Sequence, residues 1–62
     1  MDYLLVIDNV TAEGRIMTLA EAAVLTHIEP EDISRSIQGF DICQSMDFTI
    51  VDTEAADDVL AA

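Results

Sequence analysis

The chain has 62 residues, with 13 Asp and Glu against 2 Lys and Arg, and a formal charge of -11. That length allows one small domain, residues 1–62, while an apolar content of 52% is too high for a disordered acidic tail. No apolar run nears the ~20 residues of a membrane span, the opening MDYLLVID lacks the basic lead-in of a secretory signal, and two cations cannot supply the counterion release that drives DNA binding.

These exclusions predict a cytoplasmic protein with no membrane partner and no direct contact with nucleic acid. So short a domain buries only ~60% of the surface its unfolded chain exposes, and small scaffolds usually need a staple or a partner chain. Cys43 is the sole cysteine, so no internal disulfide and no multi-Cys zinc site can form. Homodimerisation, or docking on a larger chain, is the remaining support.

Tyr3-Leu4-Leu5-Val6-Ile7 is a run of β-formers bounded by Asp2 and Asp8-Asn9, and it predicts a strand. Ala12-Glu13-Gly14 predicts a turn, with Gly14 as the residue able to take a positive φ. Arg15-Ile16-Met17 then returns antiparallel to the first strand.

Thr18-Leu19-Ala20-Glu21 is a capping box, which opens a helix. Leu19, Ala22, Ala23 and Thr26 share one face of it at helical spacing, and Val24 and Leu25 point away from that face. His27-Ile28-Glu29 forms a tight turn. Pro30 suits the first position of a second helix, with Glu31 and Asp32 in a first turn where the helix dipole favours acids. Ile33 and Ile37 share a face, and Gly39 is the expected C′ residue.

Phe40 to Ser45 has no clear period. Met46 to Asp52 predicts a strand through Phe48, Ile50 and Val51, and residues 53–62 form either a short helix or a frayed tail. The expected fold is α+β: a small β-β-α-α-β domain with a helix-turn-helix-like pair and short antiparallel strands. Its core draws on Leu4, Val6, Ile16, Leu19, Ala22, Ala23, Ile28, Ile33, Ile37, Phe48 and Ile50.

Gly14, Thr18, Glu21, Ala22, Ala23, Ile28, Ile33, Ser34, Arg35, Ile37 and Gly39 together carry a family pattern. Over residues 13–39, under half of the chain, it resembles the helix-turn-helix of nuclease-associated modular domains, which sit beside homing endonucleases in phage genomes. The resemblance implies a strand-turn-strand, a Ser/Thr-x-x-Glu-Ala-Ala helix and a recognition helix. The departures are chemical. The family places Gly where His27 stands and a large aliphatic where Thr26 stands. A recognition helix presents bases with donors from its N-terminal end; this one presents Glu29, Glu31 and Asp32, with Arg35 the only base from 29 to 62.

In size and charge the chain is also similar to small acidic phage inhibitors of restriction, CRISPR and repair enzymes. That likeness implies a DNA mimic working in the host-cell cytoplasm against a basic nucleic-acid-binding protein or nucleoprotein enzyme. The partner-binding residues it selects are Glu29, Glu31, Asp32, Asp41 and Asp47, with Val24 and Leu25 as apolar anchors. The plain alternative is that these acids form a solvated face and serve solubility, as in a structural or assembly subunit. A further alternative is a dimeric helix-turn-helix DNA-binding regulator or nuclease accessory module, with Ser34 and Arg35 facing DNA. No catalytic residues and no cofactor are expected. The single His27 has no ligand partners at metal spacing, the acids after Asp52 lack an EF-hand pattern, and one histidine cannot serve a Ser/His/Asp set. Cys43 has no nearby base in sequence and is expected to be a half-buried structural cysteine.

Overall fold

The computed structural model describes residues 3–54. Four strands and two helices follow one another as β1 (Leu4–Asp8), β2 (Gly14–Met17), α1 (Leu19–Thr26), α2 (Pro30–Phe40), β3 (Ile42–Gln44) and β4 (Phe48–Asp52). The strands form one antiparallel sheet in the order β2-β1-β4-β3. The α+β expectation holds, with one strand more than expected. The added strand is β3, which lies in the segment whose sequence has no period. The predicted helix or tail over 53–62 lies, from residue 55 onward, outside the described residues.

Side-chain alternation decides the layers. Leu4 and Val6 of β1, Ile50 of β4 and Cys43 of β3 lie in one register and point at the helices. With Ala22 of α1 and with Ile33 and Ile37 of α2 they make the buried core; Met17, Leu19, Ala23, Ile28 and Phe48 pack around it. Cys43 is therefore a core residue, deeper than expected. Ile16 is not one. It pairs with Leu5 on the opposite face of the sheet and is 67% exposed.

The helices are set by their ends. The Thr18 hydroxyl accepts from the Glu21 N–H at 3.2 Å, and a Glu21 carboxylate oxygen accepts back from the Thr18 N–H at 3.4 Å, so the capping box is complete. α1 ends at His27, which takes the left-handed conformation (φ 60°) at the position where the resembled family carries glycine. The buried Thr26 hydroxyl donates to the Ala22 carbonyl at 2.7 Å, so a polar side chain replaces the expected aliphatic without an orphaned group. Pro30 does open α2.

Two glycines behave otherwise than expected. Gly39 lies within α2, which runs to Phe40, and the left-handed cap is Asp41 (φ 63°), whose N–H donates to the Ile37 carbonyl at 2.9 Å. Gly14 has an ordinary φ and begins β2, while Ala12 takes the left-handed turn position (φ 65°). The Asp8 carboxylate compensates there, accepting from Val10 N–H at 2.8 Å and Thr11 N–H at 3.3 Å.

Candidate functional site

The carboxylates fall into separate groups. Hairpin turns 9–13 and 45–47 lie side by side at one end of the sheet, beside Asp8 and Asp47. The last turn of α1 reaches the same end, because Leu25 shares a cleft of about 210 Å³ with Val6, Asp8, Glu13, Arg15 and Phe48. α2 ends at the opposite edge, one residue before β3. Asp8, Glu13 and Asp47 therefore share the hairpin end, while Glu29, Glu31 and Asp32 cluster at the start of α2. Asp41 stands apart at the other end of the sheet: Ile42 pairs with Val51, so the next rung sets Asp41 opposite Asp52.

Of the expected partner-binding residues, Glu29, Glu31, Asp32, Asp41 and Asp47 are all exposed, as are Val24 and Leu25. Val24 is 78% exposed and borders a shallow groove with His27, Ile28, Glu29 and Pro30, so it sits beside the α2 acids. Leu25 opens instead toward Arg15 and the hairpin acids. The Glu29 side chain makes no capping bond. Asp32 lies 3.8 Å from Arg35, the one ion pair among the described residues. Both members are well exposed, so the pair is weak, yet it offsets half of the chain's basic charge. Glu21 is spent on the α1 cap.

The groups that lock the hairpin end together carry no signature among the expected site residues. Asn9 ties the two hairpins: its side-chain amide donates to the Ser45 and Met46 carbonyls at 3.3 and 3.4 Å, and its side-chain oxygen accepts from the Thr49 hydroxyl at 2.7 Å. Its backbone N–H donates to the Asp47 carbonyl at 2.8 Å. Flanking these bonds, Val10 and Met46 project into solvent, Met46 at 93% exposure. The available signal was Asn9 itself, a turn former that the sequence marks only as the boundary of the first strand.

No protein-family model matches the chain, and neither a curated protein nor a solved structure matches it. Among the described residues no helix is long and apolar enough to cross a membrane. Among those residues, too, no three His, Cys, Asp or Glu side chains are grouped to hold a metal ion.

Proposed function

We propose that this chain is a non-catalytic acidic inhibitor, encoded by a phage or mobile element. In this reading it blocks the basic nucleic-acid-binding surface of a host defence or nucleic-acid-processing enzyme, in the anti-CRISPR or anti-restriction manner. The observation that carries the reading is the presence of two acidic groups, Glu29, Glu31 and Asp32 at the start of α2 and Asp8, Glu13 and Asp47 at the hairpin turns, on a chain with a charge of -11. A cationic groove built for phosphates attracts such groups through long-range steering and charge pairing. Val24 adjoins the first group and Leu25 the second, and both supply apolar contact. Asp41, at the far end, adds only to the overall field.

The reading makes a sharp demand on two side chains. Glu31→Lys with Asp32→Lys removes acids from the first turn of α2 and leaves Arg35 unpaired. In a competition assay, the unaltered chain displaces labelled DNA from its target nuclease at low salt, and displacement fades as salt rises. The double variant fails to displace it. Equal displacement by the two proteins would sink the proposal. A gel shift of DNA by the chain alone would favour the regulator reading, in which Ser34 and Arg35 face the duplex.

A further inference from the structure

We propose that this chain forms a two-fold homodimer by pairing the outer edge of β2, which carries no further strand among the described residues, with β2 of a second copy, giving one continuous eight-stranded sheet. The hydrogen-bond ladder carries the argument. The Asp8 N–H donates to the Glu13 carbonyl at 2.8 Å, and the Asn9 N–H donates to the Asp47 carbonyl at 2.8 Å. Antiparallel partners alternate between bonded and non-bonded pairs. Even-numbered residues of β1 therefore bond β2, and odd-numbered ones bond β4. On β2, Arg15 and Met17 spend their main-chain groups on β1, while Gly14 and Ile16 point theirs off the edge of the sheet. Gly14, Arg15 and Ile16 are all exposed.

Such an edge is a template for another strand unless charge, proline or a bulge blunts it. No proline or bulge interrupts Gly14–Met17, and its one charge, Arg15, lies on the helix side of the sheet. The segment also carries no carboxylate, in a chain where 13 of 62 residues do. Two copies at -11 each can meet along this strand without opposing their acids.

Register follows from side chains. Centring the two-fold axis on Arg15 sets Arg15 against its own copy, and like charges directly opposed destabilise a pair. Centring it on Gly14 calls Ala12 into the ladder, and Ala12 holds a left-handed turn (φ 65°). Centring it on Ile16 sets Ile16 against Ile16 on the helix-free face, and Arg15 against Met17 of the second copy on the helix side; the ladder is then the bonded Ile16 pair, because Thr18, opposite Gly14, spends its N–H on Glu21 and its carbonyl on the Ala22 N–H. Arg15 then approaches the first turn of the second copy's α1, where Glu21 supplies an opposite charge. Leu25, which shares the Arg15 cleft, extends the contact from the helix layer.

This interface is separate from the two acidic groups, and its salt dependence has the opposite sign. Screening weakens an acid-to-base contact but relieves repulsion between two acidic copies. The test is sedimentation equilibrium of the full chain from about 10 μM to about 1 mM, at low and at high salt. The expected result is a monomer–dimer equilibrium that strengthens with salt. Ile16→Lys leaves the β1 ladder intact and sets two ammonium groups face to face; it raises the dimer dissociation constant at least about tenfold. Phe40→Lys makes the same charge change at an exposed residue of α2 and leaves the dimer intact. Amide hydrogen exchange gives an independent readout: the Ile16 amide slows with protein concentration, and the residue 16 amide of the Ile16→Lys chain does not. A wild-type chain that stays monomeric throughout would overturn the proposal. So would a dimer that Ile16→Lys does not weaken, since its contact would then lie elsewhere.

Discussion

Asn9→Ala should loosen the whole hairpin end, because one side chain joins the two hairpins that form it. The substitution removes three side-chain hydrogen bonds, at 3.3, 3.4 and 2.7 Å. A protein hydrogen bond contributes about 0.5–1.5 kcal/mol net. The two donated bonds are long and lie at the surface, so they fall at the low end of that range; the one accepted from Thr49 is short. The sum is about 2 kcal/mol. A chain of this size has a total stability of roughly 3–9 kcal/mol, so the change is large. It corresponds to a fall in Tm of roughly 8–16 °C. Urea and thermal unfolding followed by circular dichroism, at one fixed protein concentration, measure it directly. Thr49→Val removes the same short bond from the other side, so a double-mutant cycle of the two gives a coupling of about 0.5–1.5 kcal/mol. A loss below about 0.5 kcal/mol for Asn9→Ala, or a coupling near zero, would refute the staple and with it the rigidity assigned to the paired turns.

Gly39→Ala should stabilise the protein by about 0.5–1 kcal/mol, since Gly39 is helical and a β-carbon there meets nothing within 4 Å. A destabilised variant in urea unfolding would instead place Gly39 at a left-handed cap. Ile50→Ala should cost about 2–5 kcal/mol, because Ile50 is fully buried at the centre of the core. That takes most of the stability available to so short a chain, and a loss under about 1 kcal/mol would contradict the packing of α2 on β4.

What the sequence discloses is mostly local. The Thr18–Glu21 box, Pro30 and the β-former runs of β1 and β4 act through near neighbours, and each forms as expected. Three features depend on distant contacts. β3 is only three residues long, and its apolar residues become a strand because Cys43 finds Ile50 across the ladder. α2 passes through Gly39 because Asp41 tolerates the left-handed cap, and local glycine chemistry alone pointed two residues too early. Ile16 looks like core beside a charged Arg15. The register reverses that reading: Arg15 occupies the helix side at an open cleft, and Ile16 occupies the bare side. Exposure of the acids was legible in their chemistry. Their grouping was not, because Asp8, Glu13 and Asp47 meet only through the pairing of two distant hairpin turns. Asp41, adjacent in sequence to a helix of site residues, lies at the opposite end of the sheet because Ile42 pairs with Val51.

The decisive question is whether the α1–α2 pair engages a double helix. Fluorescence anisotropy of a labelled duplex oligonucleotide, titrated with the full chain at low salt, measures that without knowledge of any partner. Electrostatic repulsion from the acidic first turn of α2 predicts a flat trace at every protein concentration. A saturable rise that disappears on adding salt would mean that Ser34 and Arg35 hold DNA, and would contradict the claim that the acids exist to occupy a cationic protein surface.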